Sequence, residues 1–481
     1  MSNYIGIDLG TSGVKILLVS SQGKILKEVT EGYPVSYPQS GWSEQNPEDW
    51  YSAVISGLEK LNAKEVAGIS CGGQMHGLVI LDKEDSVIRP CILWNDGRTG
   101  KQTEYLNSVI GKDKLANYTA NIAFAGFTAP KLLWLKENEP ENFNKIAKIM
   151  LPKDYIVYRL TGEFSTDYSD ASGTLLLDVK NRCWSKEMCG ICGIVGGQLP
   201  KLYESYAPVG YVKKPLSDKF GWGKVTVAAG AGDNAAAAVG TGTVKNGDCN
   251  LSLGTSGTLF IANDGFSLPK NNALHSFCHA NGRYHYLGCI LSAASANKWW
   301  IEDVLGENYG LAEKAAEKSG KNEVIFLPYL MGERCPHNDV NARGAFIGLS
   351  ADTTKEDMAL AVLEGVAFAF RDCLEITKEN GAVITRSTVC GGGAKSALWQ
   401  KILANVLNLE LYTVETEQGP AYGAAIFAMV ACGEYKSVEE GASALIKSKL
   451  SVTPTGELIE LYDEKYSRYK QLYPLLKAVN K

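Results

Sequence analysis

Tyr4-Ile5-Gly6-Ile7-Asp8-Leu9-Gly10-Thr11-Ser12-Gly13-Val14-Lys15 and, roughly 240 residues further on, Leu251-Ser252-Leu253-Gly254-Thr255-Ser256-Gly257-Thr258-Leu259-Phe260-Ile261 are two copies of one local pattern. Each is an apolar run, the turn Leu-Gly-Thr-Ser-Gly, then a second apolar run. Short apolar runs bounded by glycine read as β-strands, and the turn closes them into a hairpin. The tip is glycine, hydroxyl, hydroxyl, glycine. Glycine lets the backbone approach a ligand closely. Backbone N–H groups and hydroxyls that converge at a tip suit a phosphate. Two such hairpins predict two similar domains that face one shared anionic ligand.

The chain of 481 residues is long enough for two large domains. With 45% hydrophobic and 21% charged residues it has the composition of a globular enzyme. A net charge of −5 argues against a general nucleic-acid binder. No apolar run reaches the ~18–20 residues of a membrane helix. Met1-Ser2-Asn3 leads straight into a strand pattern, which predicts no secretory signal and a cytoplasmic protein. The twelve cysteines are scattered singly and read as buried thiols. Cys189 and Cys192 have a metal-like spacing, but no second ligand pair follows.

Outward from the first hairpin, Lys24 to Thr30 is a third strand. Asn46-Pro47 then opens a helix, with Asn46 as cap and Trp50, Val54, Leu58 and Leu61 on one face. Val66 to Ser70 is a buried strand that runs into Cys71-Gly72-Gly73-Gln74-Met75-His76-Gly77, and Leu78 to Leu81 resumes strand character. Three meandering strands, a helix and a further strand predict a ribonuclease-H-like α/β layer. Thr166 to Thr174 reads as a polar connecting loop. Val225 to Ala229 is a buried strand, and Gly240-Thr241-Gly242 reads as the link between domains spanning 1–243 and 244–481. In the second half, Leu291 to Trp300, Asp357 to Thr377 and Leu458 to Leu476 read as helices. Gln418 to Ala425 opens a helix of small residues expected to pack behind a triple glycine, Gly391-Gly392-Gly393.

Loops at strand ends carry ligands in such layers. Gln74, Met75 and His76 stand at one, where His76 either bonds a turn or touches substrate. Trp94-Asn95-Asp96-Gly97-Arg98 is sugar-binding vocabulary and equally turn vocabulary. Asp233, with Asn234 after it, stands at a strand-to-helix turn. It reads either as a helix cap or as a carboxylate poised as a general base. Pro328 to Arg334 is a loop with a charged end, either cleft lining or a structural ion pair. Gly392, Gly393 and Ala394 separate a strand from a helix, a setting that admits a nucleotide or phosphate.

Two longer signatures then identify a resemblance. Gly126-x-Thr128-x-x-Lys131-Leu132-x-Trp134-Leu135-x-Glu137-Asn138, and Gly344-x-Phe346-x-Gly348-Leu349 followed by Asp357-Met358-x-x-Ala361-Val362-Leu363-Glu364, are similar to the signatures of the FGGY family of carbohydrate kinases. The resemblance covers nearly the whole chain. It implies two actin-like, ribonuclease-H-like domains (the hexokinase and chaperone-type ATPase fold) around a deep cleft. It further implies transfer of phosphate from ATP to a ketose, with D-xylulose and its 5-hydroxyl the expected acceptor. Another FGGY substrate, such as ribulose, fuculose, gluconate or glycerol, is the alternative, and a non-catalytic actin-like switch or sugar sensor is a more distant one. Asp233 falls on the family's catalytic aspartate. Gln74, Met75, His76, Trp94, Asn95 and Asn234 would surround the sugar. Gly10, Thr11, Ser12 and Lys15 would meet one side of the ATP phosphates, and Gly254, Thr255 and Ser256 the other. Gly392, Gly393 and Ala394 would border adenosine. Asp8, a carboxylate beside a phosphate loop, would hold Mg²⁺ through water. A homodimer is expected from the resemblance alone.

Overall fold

The structure is a computed structural model and describes residues 2–415 and 418–479. Seven strands of the first half form one sheet. In chain order its main strands are Asn3–Leu9 (β1), Gly13–Ser20 (β2), Ile25–Gly32 (β3), Val66–Gly73 (β4), Pro208–Tyr211 (β5) and Thr226–Ala228 (β6). Their order is β3-β2-β1-β4-β6-β5, and Ala231–Gly232 adds a short pairing to β4. β1, β2 and β3 meander antiparallel, β4 and β6 run parallel to β1, and β5 returns antiparallel.

The second half repeats this plan. Cys249–Leu253 (β7), Gly257–Asn263 (β8), His275–Cys278 (β9), Tyr284–Ile290 (β10), Arg386–Cys390 (β11), Glu410–Val414 (β12) and Ser448–Val452 (β13) form a seven-stranded sheet. Its order is β9-β10-β8-β7-β11-β12-β13, with the same succession of antiparallel and parallel pairs about the hairpin β7–β8. β9 is the one addition. Both sequence hairpins are therefore real, and each lies inside its sheet.

Helices cover the sheets where apolar periodicity allows. Pro47–Leu61 (α1) starts on Asn46, whose side chain accepts from the Glu48 N–H, and buries Trp50, Val54, Leu58 and Leu61. Thr128–Asn138 (α2) and Pro152–Thr161 (α3) belong to the first half. Asp233–Gly240 (α4) follows the short pairing at Gly232. Ala294–Lys298 (α5), Lys355–Glu379 (α6), Ala397–Leu407 (α7), Gly419–Ala431 (α8) and Gly456–Leu476 (α9) belong to the second half of the chain. The second family signature is largely structural. Asp357 makes a capping box with Thr354, and Glu364 is buried against Lys465 at 2.5 Å.

Several expectations need correction. The small-residue helix α8 does not pack behind the triple glycine. It crosses to the first half and lies on β1, β4 and α4. Its glycines seat it there: a Cβ on Gly423 would stand 2.0 Å from the Ala236 carbonyl oxygen, and one on Gly6 1.9 Å from that of Ala421. Thr166 to Thr174 is not a connecting loop. Ser165–Asp167 is a strand and Tyr168–Ser172 a short helix capped by Asp167, with the polar side chains turned inward. Leu78 to Leu81 contributes Val79–Leu81 to a separate pair with Lys148–Met150 and not to the main sheet. The helix expected from Leu291 begins only at Ala294, because the Leu291 N–H bonds the Glu333 carboxylate and the Ala293 N–H the Thr255 carbonyl.

Candidate active site

Residues of both halves enclose a cavity of about 550 Å³. Met75, His76, Trp94, Asp233 and Asn234 line it from the first half, and the tip Gly254–Thr258 of the second hairpin lines it from the other. A neighbouring cavity of about 860 Å³ shares Gly254 and Thr255 and extends to Trp299 and Gly392. The carbonyls of Gly254 and Thr255 accept from the N–H groups of Ala293, Ala294 and Ser295 at the start of α5. The hairpin tip thus spends these two carbonyls on its own half, while Thr255 and Ser256 line the cavity.

Asp233 is the first residue of α4, with Gly232 as the cap. Its Oδ1 accepts from the Asn234 N–H at 2.7 Å, so it caps nothing further along the helix. Burial pushes its carboxyl up to about 7, and the nearby Asp8 carboxylate adds to the effect. Asp8, at the end of β1, is itself pushed up to about 6 by burial, against the opposing charge of Lys15. A buried carboxylate that titrates near neutrality can take a proton and release it again.

His76 has φ +68°, a left-handed conformation uncommon for histidine. Two donors hold it there. Its carbonyl accepts from Lys131 Nζ at 2.8 Å and from Thr128 Oγ1 at 3.1 Å, while Lys131 also donates to the Gly126 carbonyl at 2.7 Å. Gly126, Thr128 and Lys131 are the opening of the first family signature, so that signature pins the loop carrying His76. The His76 Nδ1 lies 2.7 Å from the Gly173 carbonyl, which can only accept, so Nδ1 carries the hydrogen and Nε2 remains an acceptor. Burial lowers the imidazole to about 3 and keeps it neutral. The ring stacks on Phe127 at 4.6 Å. A Cβ on Gly173 would stand 2.5 Å from that ring, so glycine there is a condition for the stack.

Beneath Asp233 lies a cluster that the sequence did not disclose. Lys153 Nζ is fully buried and stands 2.5 Å from Asp154, 3.0 Å from Asp167 and 3.8 Å from Asp170. Asp167 accepts from Ser169 and Ser205, and Ser169 Oγ accepts from the Gly232 N–H. The turn that presents Asp233 is thus tied through Ser169 and Asp167 to a buried lysine. The Asp170 carboxylate has no hydrogen-bond partner among the described residues, and burial raises it well above the ordinary range. The signal available in the sequence was the Asp-x-Ser spacing of a helix cap at 167–169.

The other expected site residues divide between the cavity walls and the surrounding structure. Gln74 is buried and ties Thr11 to Gln45. Lys15 points to Gln418 at 2.8 Å and Glu28 at 3.6 Å. Asn95 is exposed and does not line the cavity. Asp96 and Arg98 form a buried pair at 2.7 Å, with Arg98 also 2.7 Å from Glu44, so half of that sugar-like stretch is structural. Trp94 does reach the cavity and donates to Thr11 Oγ1 at 3.0 Å. Gly10, Thr11 and Ser12 form the first hairpin tip beside it, where the Gly10 N–H bonds the Gly13 carbonyl. Gly392 lines the neighbouring cavity, but Gly393 and Ala394 do not; a Cβ on Gly393 would stand 2.9 Å from the Trp399 ring. His275, Phe277 and Arg334 complete the wall from the second half. Of these, Arg334 had been readable only as lining or ion pair, and His275 carried no motif.

The family model "FGGY family of carbohydrate kinases, N-terminal domain" matches residues 3–240, and its C-terminal counterpart matches residues 249–432. The chain is 40% identical over 481 residues to a xylulose kinase of Escherichia coli (strain K12), covering 98% of this chain and 99% of that one. Its structure is similar to that of a "xyloylose kinase" from Brucella ovis, at a TM-score of 0.94 and 41% identity, covering 99% and 100% of the two chains. It is also similar to a gluconate kinase from Lactobacillus acidophilus, at a TM-score of 0.94 and 27% identity, covering 99% and 98%.

Proposed function

The chain belongs to the FGGY family of carbohydrate kinases, and from that premise we propose that it transfers the γ-phosphoryl group of ATP to the 5-hydroxyl of D-xylulose, with Asp233 as general base. The observation that carries this reading is the position of Asp233: a carboxylate pushed up to about 7, on the wall of one cavity that also holds His76, Asn234 and the second hairpin tip. The xylulose kinases at 37% to 41% identity support the choice of sugar.

Phosphoryl transfer asks the protein mainly for alignment and charge stabilisation. His76 Nε2 accepts from a sugar hydroxyl, and Asn234 offers a second polar contact. Asp233 takes the proton of the hydroxyl that attacks phosphorus, and ADP leaves with the electrons of the broken P–O bond. The amides and hydroxyls of Gly254, Thr255 and Ser256 receive the phosphates. The nucleoside lies in the larger cavity beside Gly392. Asp8 and Asp233 bring two carboxylates to the place where an anionic ligand arrives, and this donor set fits Mg²⁺ held by Asp8 through water. When bound, the ion supplies neutralisation of phosphate charge. We assign sugar binding to residues 1–243 and nucleotide binding to residues 244–481. We expect a cytoplasmic homodimer, which sedimentation at working concentration tests; no described helix is long and apolar enough to cross a membrane.

The deciding measurement is ADP release with Mg²⁺–ATP across D-xylulose, L-xylulose, D-ribulose, L-ribulose, glycerol and D-gluconate. The expected result is a kcat/KM for D-xylulose at least ~10²-fold above the others, or about 2.7 kcal/mol. The similarity to a gluconate kinase makes D-gluconate the sharpest competitor. A preference for it would keep Asp233 as base and overturn the sugar.

A further inference from the structure

Arg334 is the end of the Pro328–Arg334 loop and lines the same cavity as Asp233 and His76. Its guanidinium carbon lies 4.9 Å from the Phe124 ring centre. Phe124 in turn stands 5.1 Å from His275 and 5.4 Å from Phe127, so Arg334 belongs to the aromatic wall of the cavity. The chain has ten arginines. Eight of them pair with carboxylates. Arg343 donates to the carbonyls of Val340 and Ala342. Arg334 alone has neither kind of partner for its guanidinium among the described residues. The neighbouring Glu333 does not serve, because its Oε1 faces the backbone N–H groups of Leu291 at 3.0 Å and Arg334 at 2.7 Å. The polar side chain that Arg334 does meet is the Cys289 thiol, a weak acceptor.

A half-buried guanidinium without a carboxylate or carbonyl partner is an incomplete structure. Its planar fork matches a pair of oxygens better than a single one. The second half is also anchored close to this wall. Asn121 of the first half exchanges hydrogen bonds with the Ser276 backbone of β9, at 2.9 and 3.2 Å. The arginine is thus held over a pocket that His76, Asp233 and Asn234 of the first half also line.

We propose that Arg334 is a specificity-determining residue of the sugar pocket. Its guanidinium binds the oxygens at the sugar end seated against the aromatic wall, and its uncompensated charge also gives the pocket affinity for sugar acids of similar length. The inference rests on the sugar occupying this cavity, as in the function proposed above. It adds a ligand class, the five-carbon aldonates, which act as competitive inhibitors. It also makes the second half of the chain a direct contributor to sugar recognition.

The test uses the full-length parent, Arg334→Met and Arg334→Lys. One arm measures KM for ATP and for whichever sugar the panel selects. The other titrates D-xylonate into each protein by calorimetry without ATP. In Arg334→Met the sugar KM should rise roughly tenfold or more, as for loss of a charged hydrogen bond, with the KM for ATP within about twofold. D-Xylonate should compete with the sugar in the parent, bind roughly tenfold or more weaker to Arg334→Met, and bind Arg334→Lys with intermediate affinity. An unchanged sugar KM, a change in the KM for ATP alone, or no D-xylonate binding to the parent would each overturn the inference. Should Arg334→Met not fold, Arg334→Lys decides: parental KM and parental D-xylonate affinity in it would reject a role for the fork. If the parent phosphorylates no sugar in the panel, the proposed activity fails while the calorimetry still reads Arg334.

Discussion

Asp233 is the proposed base, and its titration has two opposite consequences. As a base it works only when ionised, so kcat/KM should rise with pH and level off above about 7. Asp233→Asn should lower kcat by ~10²–10⁴-fold and abolish that rising limb. The same residue burdens the fold. Its folded value of about 7 lies above the ordinary 3.8, so its contribution to stability is fully present below pH 4 and is lost as pH rises through 7. Asp233→Asn should therefore unfold at a higher temperature than the parent at pH 8 and at a similar one at pH 4. The gain is at most ~4 kcal/mol for three pKa units, and about 1–2 kcal/mol allowing for the solvent its side chain meets. A thermal melt at both pH values checks it. Lys153 should behave differently: Lys153→Met leaves Asp154, Asp167 and Asp170 buried without their cation and should destabilise by ~3–5 kcal/mol. Melting of that variant across pH would show the loss growing as pH rises. Asp233 and His76 were visible in the sequence because each stands beside glycine at a strand end. Lys153 was not, because a lysine in a helix reads as solvated unless its acidic partners, 14 and 17 residues on, are known to fold over it.

At the scale of elements, the two hairpins told the truth about the architecture. The succession of pairings β3-β2-β1-β4-β6-β5 recurs as β10-β8-β7-β11-β12-β13. Only the turn Leu-Gly-Thr-Ser-Gly is identical sequence at the centre of both, while the flanking strands share only their apolar character. The helix α8 shows what local reading misses. Glycine and alanine in it announced a close approach but not to which partner, and the partner is α4, about 180 residues earlier. Gly423→Ala places a Cβ 2.0 Å from the Ala236 carbonyl oxygen, so it should destabilise by ~1–3 kcal/mol. Gly456→Ala, at the start of α9 with nothing within 4 Å, should be neutral or slightly stabilising. Thermal midpoints of the two variants side by side separate helix propensity from contact at the crossing.

The molecule as a whole is less separable than a division at residue 243 suggests. The first sheet has α1 over one part of it, while α8, from the far end of the chain, lies on β1 and β4. Residues 1–243 made alone should therefore be insoluble or open, and should become soluble and ATP-responsive when made together with residues 244–481. A soluble, cooperatively melting 1–243 fragment would contradict this.

The crossing of α4 and α8 also sets an order of events at the ribosome. The first half leaves it with α4 but without α8 on that sheet face, and α8 follows only after roughly 190 further residues. At ~5–20 residues per second that is about 10–40 s. For that time β1 and β4 lack the cover of α8, and a nascent chain stalled in this interval is where a chaperone would find its substrate.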